Sequence, residues 1–118
     1  MHERMHEKLI VWQEAYKLCL WIYFLSRHFP NDERFALTSQ IRDAAVSVPT
    51  NIAEGNARKS FKEKRRFFEI AAASLEELHV EILLARDLEY INESEFKKTD
   101  EKINRISYLL MKLRESFK

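Results

Sequence analysis

The stretch Leu37–Arg66, LTSQIRDAAVSVPTNIAEGNARKSFKEKRR, decides the fold of this chain. At about 100° for each helical residue, six polar residues fall on one narrow line, here called the polar seam: Gln40, Asp43, Ser47, Asn51, Glu54 and Arg58. Apolar residues such as Ile41, Val48 and Ile52 lie about a quarter turn away. The pattern predicts one amphipathic helix. Its polar seam is either the solvated side that such a helix needs or a functional surface. The second alternative is open because the middle of the seam is small and uncharged.

Pro49 and Gly55 determine how far this helix can continue without a kink or a stop. Pro49 removes the hydrogen bond to the Ala45 carbonyl, at a cost of about 3 kcal/mol. The helix therefore either kinks near Pro49 or restarts with Pro49 in its first turn, and an apolar stripe that continues through Ile52 favours the kink. We expect the helix to begin around Asn31 to Glu33, where acidic side chains favour an N-terminus. We expect Gly55, the only glycine of the chain, to end it in a left-handed conformation.

Periodic apolar residues predict three further long helices. The first, from about 8 to 28, stops before Pro30 and carries a 4-3-4-3-4 spacing: Val11, Ala15, Leu18, Ile22, Leu25 and Phe29. The third starts at the capping-box pair Ser60 and Glu63 and carries a heptad seam: Phe68, Ala71, Leu75, Leu78, Ile82 and Ala85. A second apolar line runs beside that seam: Ala73, Val80, Leu84 and Ile91.

The fourth helix starts at a second capping-box pair, Asn92 and Glu95, and runs to the C-terminus with apolar residues at core spacing: Phe96, Ile103, Ile106, Leu110, Leu113 and Phe117. Short turns between long helices make chain neighbours antiparallel. The sequence therefore predicts an all-α, up-down-up-down four-helix bundle that forms a single domain over residues 1–118.

Composition indicates where the protein is located and which kinds of site the chain lacks. The only cysteine, Cys19, has no intrachain partner for a disulfide, and we identify no secretory leader, so a reduced, cytoplasmic location is expected. Charges interrupt every apolar run before the roughly 20 residues that a membrane span needs. We therefore expect no association with a membrane. One glycine and two prolines in 118 residues leave no glycine-rich phosphate loop.

Several segments resemble a known family: Val11–Ala15 (VWQEA), Phe29–Pro30 with Glu33, Leu37–Arg42 (LTSQIR), Ala44–Pro49 (AAVSVP), Asn51–Gly55 (NIAEG) and Ala71–Leu78 (AAASLEEL). The family is that of bacterial four-helix-bundle proteins encoded by intervening sequences in 23S ribosomal RNA genes. The resemblance implies a homopentameric ring or barrel with no established enzymatic activity. It also marks a structural motif: Gln40, Ser47, Pro49, Asn51, Glu54 and Gly55.

The chain is also distantly similar to the accessory variability determinant of diversity-generating retroelements. That relative is a basic pentamer that works with a reverse transcriptase and nucleic acid. The present chain differs in its formal net charge, which is only +1. Binding of nucleic acid over the whole surface is therefore not expected, and any such binding would need a local patch.

One such patch is the segment Arg58–Arg66, here called the basic cluster. It holds six basic residues against one acid, a local charge of +5, whereas acids dominate from Glu69 to Glu101. A basic end can bind phosphates on a nearly neutral protein, and several copies on one ring would add their affinities. The predicted contacts to RNA or DNA are Arg58, Lys59, Lys62, Arg65 and Arg66, with Arg42 as a secondary contributor. The alternative is an ordinary solvated helix start, where the helix dipole disfavours cations.

Enzyme chemistry has little support in the sequence. Glu76 and His79 match one Glu-x-x-His pair of di-iron bundles, but the second pair is missing, and the spacing of His2 and His6 is only a weak chelating pattern. Cys19 has no setting that lowers its pKa, and no serine has a histidine base in a plausible position. We predict no catalytic residue, metal or cofactor.

Two functions remain open. The first is a non-enzymatic oligomeric scaffold or adaptor that binds RNA, or a nucleic-acid-handling protein, through its basic cluster. The second is a self-associating structural protein with a protein partner and no nucleic-acid binding. Self-association is expected in both, because the second apolar line of helix three and large aromatic residues on more than one face of helix one exceed what one bundle buries: Trp12, Tyr16, Trp21 and Tyr23.

Overall fold

The computed structural model describes residues 3–118 and shows only helices in that range. Its four α-helices are α1 (Ile10–Ser26), α2 (Leu37–Ala57), α3 (Phe61–Asp87) and α4 (Glu93–Glu115), and short 3-10 helices form at Met5–Lys8 and Asn31–Glu33. The predicted all-α class is confirmed.

The four helices pack as a bundle. Each helix contacts its neighbours along the chain and α4 also contacts α1, whereas α1 and α3 stand diagonally opposite, with no Cα atoms of the two helices within 8 Å. Across α2 and α3, Ser47 Oγ lies 2.7 Å from Ser74 Oγ. Across α1 and α4, the indole of Trp21 donates to Thr99 Oγ1 at 2.8 Å. Since Gly55 also meets Phe68, higher numbers on α2 face lower numbers on α3, so these two helices are antiparallel.

The core consists of the predicted apolar seams. All six predicted positions on α1 and its C-terminal extension, and all six on α3, are buried. On α4, Ile103, Ile106 and Leu110 are buried, while Phe96, Leu113 and Phe117 are partly buried and pack against the core. In the second apolar line of α3, Val80 and Leu84 are exposed, 63% and 46% respectively.

The predicted boundaries of two helices are wrong. α1 covers Ile10–Ser26 rather than 8–28, because residues 5–8 form a separate 3-10 turn. The acidic residues at Asn31–Glu33 form another 3-10 turn instead of starting α2. The backbone of Ala36 (φ −124°, ψ −106°) departs from helical geometry, so α2 begins only at Leu37.

The interior of α2 differs from expectation at Gly55. The helix is continuous through the buried Pro49 and does not restart there; the bend near Pro49 stays a prediction. The predicted left-handed stop at Gly55 is wrong, since no described glycine has a positive φ and α2 continues to Ala57. Gly55 is instead buried against α3, where a Cβ would lie 2.6 Å from Cε1 of Phe68.

α3 and α4 begin at the predicted cap residues. At α3 only half of the predicted capping box forms: Ser60 Oγ accepts from the Glu63 amide at 3.1 Å, and the Glu63 side chain does not bond to the Ser60 amide. At α4, Asn92 and Glu95 form both bonds of a capping box. The α3–α4 turn contains a left-handed Glu89, φ 65°, with 6→1 and 5→2 backbone bonds typical of a Schellman motif. Within residues 3–118, no helix is long and apolar enough to cross a lipid bilayer.

Candidate nucleic-acid interface

The basic cluster lies at one end of the bundle, where α2 ends, α3 begins and α4 ends. The ring of Phe117, beyond the last turn of α4, packs edge-on against Phe61 at a centroid distance of 5.2 Å and against Phe68 at 6.0 Å. These contacts hold the C-terminal turn beside the start of α3. The charges of both segments therefore occupy one end of the molecule.

Three basic side chains of the cluster already have partners. Arg58 pairs with Glu54 at 3.4 Å and lies 4.6 Å from the centroid of the Phe67 ring. Lys64 donates to the Asn56 carbonyl at 2.8 Å. Arg65 donates to the carbonyl of Phe117. These side chains join the ends of α2, α3 and α4, which restricts their freedom to follow a ligand.

The remaining three, Lys59, Lys62 and Arg66, are exposed, and none of them forms a hydrogen bond or ion pair with residues 3–118. Lys62 and Arg66 are four residues apart on α3, so they lie on the same face with Cβ atoms about 6 Å apart. They can contact phosphates without breaking an existing bond.

Sequence reasoning missed the basic residues that α4 adds to this end. Lys112 and Arg114 lie in the last turn of α4, and Arg114 and Lys118 line a shallow depression together with Arg65. The signal was available, because antiparallel packing places the end of α4 beside the start of α3. The depression also contains Glu69 and Glu115, so its charge is mixed.

Arg42 lies elsewhere. Its Nε donates to Ser26 Oγ at 2.7 Å, and its guanidinium lies 4.7 Å from the centroid of the Tyr23 ring. It is sixteen residues from Arg58 on the same helix, about 24 Å at 1.5 Å for each residue. The structure thus gives Arg42 a place between α1 and α2 and does not bring it to the basic cluster.

The aromatic residues of the basic cluster divide between core and surface. Phe68 is completely buried and Phe67 lies beneath Arg58, whereas Phe61 is half exposed beside Phe117. A row of exposed rings for stacking bases is not formed.

The polar seam of α2 follows the boundary with α3 for part of its length. Asn51 Nδ2 donates to the Ser47 carbonyl at 2.8 Å, and Ser47 Oγ reaches Ser74 on α3. Gln40 and Asp43, at the other end of the seam, are exposed. The small middle of the seam therefore lies in the contact between two helices.

A buried carboxyl group beside this boundary was not identified from the sequence. Glu81 is only 6% exposed, and its Oε1 is the one buried side-chain polar atom without a hydrogen-bond partner among the described residues. Burial, followed by the charges of Glu77 and Asp43, raises the pKa of Glu81 to about 7. Its spacing, three residues after Leu78 and four before Ala85, was the available signal.

The remaining chemical candidates are separate from this end. His79 Nε2 lies 3.5 Å from Asp100 Oδ1, which gives the imidazole a partner on α4. Among residues 3–118, no group of three or more His, Cys, Asp or Glu side chains could hold a metal ion. His2, the partner predicted for His6, lies outside the described residues. Burial raises the pKa of the Cys19 thiol, which disfavours the nucleophilic thiolate.

Comparison with known proteins agrees with this geometry. The chain is similar to a solved structure from Bacteroides thetaiotaomicron VPI-5482, a protein of unknown function from the S23 ribosomal protein family, with a TM-score of 0.83 and 21% identity over 89% of this chain and 98% of the other. At that identity the likeness concerns the fold. The search of curated proteins gave no match. The sequence profile of the 23S rRNA-intervening sequence proteins matches residues 7–112. The chain therefore belongs to the 23S rRNA-intervening sequence protein family.

Proposed function

We propose that this protein is a non-enzymatic, self-associating scaffold of the cytoplasm that binds the phosphate backbone of RNA or DNA through its basic cluster. The observation that carries this proposal is the set of three exposed and unpaired cations, Lys59, Lys62 and Arg66. Unpaired cations at a helix N-terminus are unfavourable by themselves, because they face the positive end of the helix dipole. An incoming phosphate removes that cost.

The distribution of charge supports a local interface. The formal net charge is +1, so long-range attraction of the whole molecule to a polyanion is weak, and binding depends on the local field of the cluster. Helix side chains that contact phosphates give affinity without reading bases. The expected binding is therefore tolerant of sequence.

Self-association increases this weak local affinity. Large apolar side chains remain exposed on α1 and α3, among them Leu20 and Val80 at 56% and 63%. Exposed apolar groups at helical spacing favour burial by another protein surface. A homopentamer, the assembly that the family resemblance implies, would place five basic clusters on one particle, and their binding to one polyanion would be multivalent.

A salt titration tests the nucleic-acid interface. Binding of fluorescently labelled single-stranded RNA and duplex DNA is measured by anisotropy between 25 and 200 mM salt, for wild type and for Lys62→Glu/Arg66→Glu. Each lost phosphate contact reduces the slope of log affinity against log salt by about 0.7 to 0.9, so the variant should bind more weakly and with a flatter slope. Lys97→Glu/Lys102→Glu, with the same charge change on α4, is the control and should bind like wild type.

The alternative is a scaffold for a protein partner alone, and the exposed apolar side chains favour it. A wild type that binds neither nucleic acid at the lowest salt would overturn the basic-cluster proposal and leave this alternative. A double variant that binds as tightly as wild type, with an unchanged slope, would place the nucleic-acid site elsewhere.

A further inference from the structure

Two exposed apolar surfaces lie on opposite sides of the bundle. The α1 stripe consists of Tyr16, Leu20, Tyr23 and Phe24, and the α3 stripe consists of Ile70, Ala73, Val80, Leu84 and Leu88, all of them exposed. Because α1 and α3 are diagonal in the bundle, one molecule cannot cover one stripe with the other. Two different surfaces on opposite sides suit a heterologous contact between copies, which closes into a ring when the rotation permits.

An unpaired acidic group borders the α3 stripe. Glu81 is three residues before Leu84 and four residues after Glu77, so these side chains are neighbours on the helix surface. Its Oε1 has no partner, and no basic side chain among the described residues bonds to Glu81. A buried charge without a partner is costly. A cation from outside the chain that reaches this carboxyl group would offset that cost.

The α1 stripe ends in a cation. At about 100° for each residue, Arg27 falls on the same line as Tyr16, Leu20 and Tyr23. Arg27 is exposed, and its side chain makes no hydrogen bond or ion pair with residues 3–118. A second copy that packs its α1 stripe on the α3 stripe therefore brings an unpaired guanidinium toward the same surface as Glu81.

The axial positions of these two groups differ by about one to five helical residues, or up to about 7.5 Å. Arg42 contacts Ser26, and Ser47 contacts Ser74; since α2 and α3 are antiparallel, Ser26 lies at about the level of residue 79. Contacts through α4, Trp21 with Thr99 and His79 with Asp100, place Arg27 nearer residue 86. The estimate through α2 and the estimate through α4 therefore place Arg27 on either side of Glu81 and the helical turn that follows it. In a cyclic ring whose axis runs parallel to the bundles, neighbouring subunits stay at one axial level, and an arginine side chain can cover the remaining distance.

We propose that the α1 stripe of one copy packs on the α3 stripe of the next, and that Arg27 of the first copy pairs with the buried Glu81 of the second. This inference rests on the self-association in the proposed function and names its interface. It does not depend on nucleic-acid binding, because the basic cluster takes no part in the contact.

The pair makes assembly sensitive to pH. The charged groups that act on Glu81 in one copy are Glu77 on its own helix and Asp43 on α2, and both raise its pKa; on the α4 side of α3, His79 faces Asp100. An adjacent guanidinium lowers the pKa of the carboxyl group, so contact releases a proton near neutral pH. Association should therefore strengthen as pH rises from 6 to 8.

A double-mutant cycle on the intact protein tests the pair. Association constants are measured by sedimentation equilibrium at pH 6, 7 and 8 for wild type, Arg27→Met, Glu81→Gln and the double variant. Arg27→Met is a surface change that keeps most of the apolar stem. Lys112→Met, in the last turn of α4 at the other end of the bundle, removes one positive charge in the same way and serves as the control. We expect each single variant to weaken association about tenfold or more at pH 8, the double variant to be no weaker than either, and both single variants to lose the rise with pH.

The possible failures are distinct. Two results would overturn the Arg27–Glu81 pair and leave the scaffold proposal standing. In the first, wild type associates and Arg27→Met associates equally well. In the second, the fold-changes of the two single variants multiply in the double variant. A wild type that remains monomeric at all concentrations would overturn self-association itself. Circular dichroism of each variant excludes unfolding as the cause of a lost assembly.

Discussion

Gly55 offers a direct test of how α2 and α3 pack. Gly55 lies within α2, and the Cβ of an alanine at this position would lie 2.6 Å and 2.9 Å from two atoms of the Phe68 ring and 3.0 Å from Cβ of Phe67. Phe68 is completely buried, so its ring has little room to withdraw. The Cβ of Phe67 moves only with the backbone of α3.

Two opposing terms set the size of the effect. Replacing a glycine inside a helix by alanine stabilises the helix by about 1 kcal/mol, whereas inserting a methyl group into a packed core costs about 1 to 3 kcal/mol. Two of the close atoms belong to a buried ring, and the third, Cβ of Phe67, is fixed to the backbone of α3. We therefore expect the steric cost to exceed the gain in helix propensity. Gly55→Ala should lower the free energy of unfolding by about 1 kcal/mol, and Gly55→Val by more.

Urea unfolding followed by circular dichroism measures these changes, and calorimetry should show Tm about 4 °C lower for each kcal/mol in a chain of this size. The difference between Thr50→Ala and Thr50→Gly, at an exposed position of the same helix, reports the propensity term. Phe68→Leu should relieve the clash, so the Gly55→Ala/Phe68→Leu variant should be more stable than the two single effects predict. A Gly55→Ala variant at least as stable as wild type, with additive effects in the cycle, would refute this account of the contact.

Three further predictions concern other buried or strained groups. The folded-state pKa of Glu81, about 7, exceeds the ordinary 4.5. The contribution of Glu81 to the free energy of unfolding is therefore complete below pH 4.5 and is lost as pH rises through 7. At concentrations where the chain is dissociated, urea unfolding of Glu81→Gln should show a smaller decline in the free energy of unfolding over this range than wild type shows. Thr99→Val should cost about 1 to 3 kcal/mol in thermal unfolding because it leaves the Trp21 indole unpaired, and Thr99→Ser, which keeps the hydroxyl group, should cost less. Glu89→Gly should stabilise by about 0.5 to 1 kcal/mol, since glycine removes the left-handed strain, and an unchanged Tm would show that the strain is absent.

The helices and their buried faces could be predicted because they depend on regular spacing. The heptad seam of α3, from Phe68 to Ala85, is buried at every predicted position, and Asn92 begins α4 with the predicted cap. Both signals are local, since the period of the helix and the orphan amides at its start are properties of a few consecutive residues. Packing of distant segments was not needed to find them.

Residues with more than one possible role were misread. A glycine near a helix end is most often a left-handed stop, but Gly55 is required by the close approach of Phe68 from another helix. The left-handed residue is instead Glu89, whose side chain gives no such signal. Asn31–Glu33 has the composition of a helix start, yet the turn at Ala36 separates it from α2. In each case the tertiary contact or backbone path decided between local alternatives.

At the candidate interface too, the local charge could be predicted from the sequence, whereas the contacts made by distant segments could not. The excess of positive charge in Arg58–Arg66 is visible in the sequence, but its availability is not, because Arg65 is engaged by the carbonyl of Phe117, 52 residues away. The contact that removes Arg65 from the available cations also brings the basic last turn of α4 to the same end. The positive charge of this end is therefore assembled by the fold, and the proposed phosphate contact falls on the three unpaired cations rather than on the full basic cluster.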